Sequence, residues 1–134
     1  MPVLRDELIG LRSMDDIIKA RQVVRDCAIF QGLSLVDQTK LVTAASELAR
    51  NTIIYGGGGT MRADCLKNGI KTGLRIVFED AAPGIPDLDL AMKEGWTSGH
   101  GLGLGLPGTK RLVNDFEIES KPGSGTRVTI ARWR

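Results

Sequence analysis

Four consecutive glycines, Gly56–Gly59, end a long predicted helix and are followed by a stretch of β-strand character. Before them, apolar residues recur every three or four positions, which is the spacing of amphipathic helices. After them, short runs rich in Val, Ile and Thr alternate with turn residues, which is typical of strands. The sequence therefore predicts an α+β fold in a single domain over residues 1–134. We expect a two-layer sandwich, with a mixed, mostly antiparallel sheet and helices on one face.

The predicted elements run in the order strand, two long helices, hairpin, two shorter helices, hairpin. Ser13 and Ser34 are predicted to be the N-caps of the long helices, because their hydroxyls can accept a bond from a first-turn amide. The spacing predicts a strand at 6–11, helices from Ser13 to Phe30 and from Ser34 to Tyr55, strands at 60–66 and 74–78, helices at 87–94 and 104–113, and strands at 116–120 and 126–133.

Composition and charge argue against several functional classes. The 18 basic and 16 acidic residues leave a net charge of +2, which is weak support for a nucleic-acid partner. No apolar run reaches the length of a membrane span, and the N-terminus lacks the apolar stretch of a signal peptide, so we expect a cytoplasmic protein. Cys27 and Cys65 are then expected to be reduced and buried. Arg127, Arg132 and Arg134 alternate with strand-like residues, which predicts a solvated sheet edge.

Glu47 and Asn51 are the first residues that could carry chemistry. They are four positions apart in the second long helix, so they share one face beside its apolar stripe. A carboxylate and an amide oxygen held together can bind a hard cation such as Mg²⁺, or the carboxylate can orient an attacking hydroxyl. The pattern E-x-x-x-N is weak, however, and taken alone it fits a solvated helix face better.

The second feature is Asp80, which follows the apolar strand 74–78 and precedes a turn containing Gly84. An acidic side chain at the end of a buried strand needs a partner for its charge. The exocyclic amine of an adenine is one candidate partner, and a backbone amide in the turn is the other. Gly84 would allow the backbone to approach a flat ligand closely. The two interpretations are evenly balanced on these residues alone.

The third feature is the segment 99–108, in which glycines alternate with leucines ahead of a predicted helix. Such glycines expose backbone N–H groups, and the helix dipole adds positive potential, so the segment is suited to binding phosphate. It contains G-x-G-x-x-G at Gly103, Gly105 and Gly108. A dinucleotide-binding motif is nevertheless excluded, because no strand precedes it and the expected acidic residue is missing. A P-loop is also excluded, since the Thr and Lys after Gly108 stand in the wrong order.

Together these features resemble the Bergerat ATP-binding fold of gyrase, the Hsp90 chaperone, histidine kinases and MutL, over roughly residues 34–134. The resemblance implies that the chain uses ATP and Mg²⁺. One departure is Ala82, which stands where the family motif D-x-G-x-G has its first glycine. The implied roles are a base or polariser at Glu47, a Mg²⁺ ligand at Asn51, adenine contacts at Asp80, Gly84 and Thr126, and phosphate contacts at Gly101, Gly103 and Gly105.

Within this fold the chain is most similar to the anti-sigma-factor serine kinases, and among them to the stressosome switch kinases, in the runs 46–51 and 103–108. That resemblance implies phosphorylation of a serine or threonine on STAS-domain scaffold or antagonist proteins. It also implies release to activate a downstream partner. A histidine kinase is disfavoured, because the only histidine, His100, lies in the glycine-rich segment 99–108 and not on a dimerising helix. Two alternatives remain: an ATP-gated module that sequesters a sigma factor, and a degenerate domain that binds no nucleotide.

Overall fold

The structure, a computed structural model, describes residues 3–80, 105–121 and 123–134. The helix predicted at 87–94 lies outside the described residues. Among those described, no helix is both long and apolar enough to cross a membrane. The elements in chain order are β1 (Val3–Leu11), α1 (Asp15–Phe30), α2 (Leu35–Ile54), β2 (Gly59–Asn68), β3 (Lys71–Asp80), α3 (Leu106–Lys110), β4 (Asp115–Lys121) and β5 (Gly125–Trp133).

The strands form one five-stranded sheet in the order β1-β2-β3-β5-β4, and each neighbouring pair is antiparallel. The register places Gly59 opposite Asp80, and Asp80 opposite Thr126. Three residues that are far apart in the sequence therefore meet at one end of the sheet. The prediction that the basic C-terminal strand is a solvated edge is wrong, because β5 lies between β3 and β4 and the edges are β1 and β4.

The core lies between the sheet and the two long helices, which cover one of its faces. α1 contributes Val24 and Cys27, α2 contributes Leu41 and Leu48, and the sheet contributes Phe78 among others, all essentially inaccessible to solvent. This arrangement confirms the predicted α+β sandwich. It follows from the sequence pattern, since each long helix has one apolar stripe and can bury it only against another layer.

Both cysteines are free and buried, as the sequence predicts. Burial raises the pKa of the Cys27 thiol to about 12, and it also raises the pKa of Cys65. A thiol with so high a pKa is almost entirely protonated at neutral pH, and the thiolate is the reactive form. The pair thus serves as small apolar packing between α1 and β2.

The two helix N-termini differ from each other. Ser34 caps α2 as predicted, since its hydroxyl accepts a hydrogen bond from the amide of Asp37 at 3.1 Å. The prediction of Ser13 as the cap of α1 is wrong. Instead, the Asp16 carboxylate accepts bonds from the amides of Arg12 and Ser13, at 2.8 and 3.1 Å. An acidic side chain in the first turn can accept hydrogen bonds from these amides. Its negative charge also interacts favourably with the helix dipole.

The predicted strand boundaries lie within three residues of the observed ones, whereas the last helix is shorter than predicted. The predicted ends at Leu11 and Trp133 are exact, and the other strand ends lie one to three residues further out, because pairing with a neighbour continues past the apolar run. The helix predicted at 104–113 is only the five residues of α3. It begins after Gly105, whose φ of +68° is a left-handed conformation that cannot belong to an α-helix.

Arg132 of β5 joins three parts of the molecule. Its guanidinium donates to the Asp37 carboxylate in the first turn of α2 at 2.7 Å, and to the backbone carbonyl of Leu112 after α3 at 3.0 Å. The two charged side chains are only 15% and 26% exposed. The hydrogen bond from Arg132 lowers the pKa of the Asp37 carboxyl.

This lowered pKa predicts how stability depends on pH. The unfolded-state pKa is near 3.8, so the stabilising contribution of Asp37 is fully present above that pH and is lost as the pH falls through the lower folded-state value. We expect Asp37→Asn to destabilise the protein at pH 7, and the difference from wild type to shrink below about pH 4. Urea unfolding at both pH values measures this. A difference of equal size at pH 7 and pH 3 would contradict it, and Asp15→Asn is the control.

Candidate active site

Glu47 and Asn51 are both half-buried on the face of α2 that borders the core. Gly105, at the start of α3, packs directly against Glu47. A Cβ atom added to Gly105 would lie 2.6 Å from Glu47 Oε1, so no other residue fits there without moving the carboxylate. The positive φ of Gly105 imposes the same restriction independently. The sequence-predicted residues Glu47 and Gly105 are therefore in contact.

α3 is held in place against α2 by its own apolar and polar contacts. Leu106 is buried in the core, and the Thr109 hydroxyl and amide both donate to the carbonyl of Gly105, at 2.8 and 2.9 Å. These contacts fix the backbone turn that faces Glu47. An open groove of about 590 Å³ results. It is lined by Arg21, Thr43, Ser46, Glu47, Gly105, Gly108, Thr109 and Leu112.

Asp80 and Thr126 form the other end of the site. The amide of Thr126 donates to Asp80 Oδ1 at 3.3 Å, and the hydroxyl of Thr126 is 2.8 Å from that of Ser120. These residues border an open cavity of about 800 Å³. Its lining mixes charged, hydroxyl and backbone groups with one apolar side chain, Ile118. These polar groups are available to form hydrogen bonds with a ligand in the cavity.

Gly56 connects the two ends, and sequence reasoning missed this role. Its amide donates to the carbonyl of Asn51 at 3.2 Å. A Cβ at Gly56 would lie 2.6 Å from the Asp80 carboxylate, so the backbone approaches that side chain as closely as it can. The sequence predicts only that the glycine run ends the helix, and the available signal for Gly56 is a glycine five positions after the Asn of E-x-x-x-N. Ser120 was also missed, and nothing in the sequence distinguishes it from an ordinary strand serine.

The structure brings Glu47 together with Gly105, and Asp80 together with Thr126, and the backbone carbonyl of Asn51 accepts from Gly56, which approaches Asp80. The predicted site residues Gly84, Gly101 and Gly103 lie outside the described residues.

The described donor set fits a Mg-nucleotide better than a metal held by protein alone. No group of three or more His, Cys, Asp or Glu side chains among the described residues could hold a metal ion. Mg²⁺ is commonly held by one or two protein oxygens together with substrate phosphates and water. Asn51 carries one such amide oxygen, half-buried on α2, and would hold the ion together with the phosphates of the nucleotide.

A family comparison decides the class. Residues 36–134 match the family described as "Histidine kinase-, DNA gyrase B-, and HSP90-like ATPase". The chain belongs to this ATPase family. The matched range begins in the first turn of α2 and runs to the C-terminal residue, so it includes every predicted site residue. An ATPase domain implies that the chain binds ATP, which agrees with the ATP prediction from the sequence.

Relatives of this ATPase-family chain narrow the class further. It is 43% identical over 118 residues to the "Serine/threonine-protein kinase RsbT" of Bacillus subtilis (strain 168), covering 88% of this chain and 89% of the relative. It is 29% identical over 119 residues to the "Anti-sigma F factor" of Thermoanaerobacter sp. (strain X514), covering 85% and 82%. The chain is thus an ATP-dependent serine/threonine-protein kinase of the anti-sigma-factor group.

A solved structure supports the fold of this family member. The chain aligns with "The crystal structure of the RsbU and RsbW domains of Rv1364c from Mycobacterium tuberculosis" with a TM-score of 0.66 and 20% identity. The alignment covers 97% of this chain and 33% of that structure, so the chain spans about a third of it. At this identity the likeness shows a shared fold and carries no argument about activity.

Proposed function

We propose that this kinase transfers the γ-phosphate of ATP to a serine or threonine of a STAS-domain scaffold or antagonist protein. After release from that protein, it activates a downstream signalling partner. The observation that carries the proposal is the position of Glu47. Its carboxylate packs against Gly105, one of the glycines assigned to phosphate binding, and it lines an open groove on the surface. A kinase that acts on another protein needs its base accessible to a side chain from outside.

Each residue of the site has a defined task in this proposal. The Glu47 carboxylate accepts the proton of the attacking hydroxyl while the bond from that oxygen to the γ-phosphorus forms and the bond to the β-phosphate oxygen breaks. Gly105, with Gly101 and Gly103, offers backbone amides to the phosphates. Asp80 accepts from the exocyclic amine of adenine, and Gly84 and Thr126 border the base.

Asn51 is the proposed protein ligand of Mg²⁺. When bound, the ion would neutralise part of the phosphate charge. Asn51 is suited to this because its amide oxygen lies on the same face of α2 as Glu47, one helical turn away.

The partner classes rest on the relatives. One of them is named a serine/threonine-protein kinase and another an anti-sigma F factor, and both names fit a protein that acts by switching partners. We place the kinase in the cytoplasm, a proposal supported by two buried cysteines that remain unbridged.

An ATP-gated binding module is the second candidate, and the relatives named anti-sigma F factor favour it. Such a module would use the same pocket but sequester a transcription factor without transferring phosphate. The greater identity to the relative named a kinase, 43% against 29%, favours transfer.

Phosphate transfer from labelled ATP to a purified STAS-domain protein, with and without Mg²⁺, separates these functions. We expect Mg²⁺-dependent phosphoserine or phosphothreonine on the partner. Tight ADP binding with no transfer would leave the binding module in its place. Neither binding nor transfer would mean that the residues assigned to the nucleotide are wrong.

A further inference from the structure

Asp80, Thr126 and Ser120 form a polar row across three neighbouring strands at one end of the sheet. The register places Asp80 of β3 opposite Thr126 of β5, and Thr126 opposite Ser120 of β4. Residues directly opposite each other in an antiparallel sheet have their side chains on the same face. All three side chains are half-buried, and all three line the cavity of about 800 Å³.

The polar row interrupts an otherwise apolar face of the sheet. Side chains two positions apart along a strand share a face, so the row belongs to the face that the helices cover. The next two rows on that face belong to the core or pack against it, and they consist of Phe78, Val128 and Ile118, and of Ile76, Ile130 and Phe116. Packing alone would favour a third apolar row. Three polar residues in its place indicate that this row contacts a polar ligand.

Hydrogen bonds within the polar row determine what the Thr126 hydroxyl offers to that ligand. Ser120 Oγ donates to the backbone carbonyl of Gly125 at 3.4 Å, and it lies 2.8 Å from Thr126 Oγ1. A serine hydroxyl has a single proton, and a carbonyl can only accept. The proton in the 2.8 Å contact therefore comes from Thr126, and Thr126 Oγ1 presents lone pairs to the cavity.

The other donor of Thr126 is also used within the protein. Its backbone amide donates to Asp80 Oδ1 at 3.3 Å. A carboxylate has no donor of its own. Asp80 and the Thr126 side chain thus both act as acceptors toward the cavity, and a ligand that donates hydrogen bonds matches them.

We infer that Ser120 is a positioning residue that keeps the Thr126 hydroxyl an acceptor and thereby favours adenine over guanine. Adenine has an amine that donates where guanine has a carbonyl oxygen that only accepts. A site whose polar groups are fixed in this way disfavours the base that leaves them unpaired. Without Ser120, the Thr126 hydroxyl can rotate and donate to the guanine carbonyl. The inference rests on the proposed adenine contact of Thr126, and it does not require phosphate transfer.

The test measures ADP and GDP affinity by calorimetry on the full chain. We expect Ser120→Ala to lower the ratio of ADP affinity to GDP affinity about 10-fold, roughly the contribution of one hydrogen bond. Ser120→Thr keeps a hydroxyl at this position and should restore the wild-type ratio. Thr129→Val is the control, because Thr129 lies on the opposite face of β5 and does not line the cavity. It should leave both affinities unchanged.

A second pair of variants shows whether Ser120 acts through Thr126. Thr126→Val removes the hydroxyl, so adding Ser120→Ala to it should leave the ratio of ADP to GDP affinity unchanged. An equal fall of the ratio with and without the Thr126 hydroxyl would overturn the inference. Equal weakening of ADP and GDP in Ser120→Ala, or an unchanged ratio, would overturn it as well. A changed ratio in a protein that transfers no phosphate would support the role of Ser120 and contradict the proposed kinase reaction, so the two failures are distinguishable.

Discussion

Replacing Glu47 with alanine is expected to lower the rate of phosphate transfer at least about 100-fold, the usual contribution of a positioned general base. Alanine cannot accept the proton of the attacking hydroxyl. ADP affinity should be unchanged, because Glu47 lies in the groove with α3 and is not among the residues around the Asp80 cavity. Transfer to the STAS-domain protein and calorimetric ADP binding measure the two effects separately.

Glu47→Gln provides the structural control for this prediction. Glutamine has nearly the same shape, so it preserves the packing against Gly105, yet it cannot act as a base at neutral pH. We expect it to be as inactive as alanine. Full activity of Glu47→Gln would show that the packing matters and the proton transfer does not. Loss of ADP binding in both variants would make Glu47 a structural residue. Glu117→Ala, an exposed carboxylate of β4, is the control for charge.

Asp80→Asn is expected to weaken ADP binding by about 10- to 100-fold, which corresponds to losing one hydrogen bond to a charged group. A carboxylate accepts bonds at both oxygens, whereas asparagine has one acceptor and one donor. If the asparagine oxygen keeps the bond to the Thr126 amide, its NH₂ group faces the exocyclic amine of adenine, and two donors oppose each other. The effect should therefore be specific to adenine.

Guanine nucleotides distinguish this specific effect from general damage to the site. Guanine has a carbonyl oxygen where adenine has its amine, so GDP affinity should not fall in Asp80→Asn. Calorimetry with ADP and GDP on wild type, Asp80→Asn and Asp15→Asn measures the preference for adenine over guanine. Asp15→Asn, which makes the same chemical change on the exposed surface of α1, should leave both affinities unchanged. An unaltered ADP affinity in Asp80→Asn would disprove the adenine assignment.

The sequence was sufficient for the fold class, the long helices and the positions of the hairpins. These features depend on local periodicity and on glycine runs, both of which can be detected within a short stretch of chain. The pairing of Glu47 with Asn51 could also be predicted, because residues four apart on a helix share a face whatever the tertiary structure. The cap at Ser13 failed because the amide of Asp16 donates to the backbone carbonyl of Ser13 and not to its hydroxyl, while the Asp16 carboxylate accepts from the amides of Arg12 and Ser13.

Contacts between distant parts of the chain were decided only by the tertiary structure. Arg132 was expected on a solvated edge, but the strand order places β5 inside the sheet, where Arg132 pairs with Asp37. The approach of Gly56 to Asp80 and the contact of Gly105 with Glu47 depend on where β3 ends and where α3 begins relative to α2. The sequence by itself thus determined which residues could carry the chemistry. Only the folded chain determined which of them meet, because that depends on strand order and packing across long separations in the sequence.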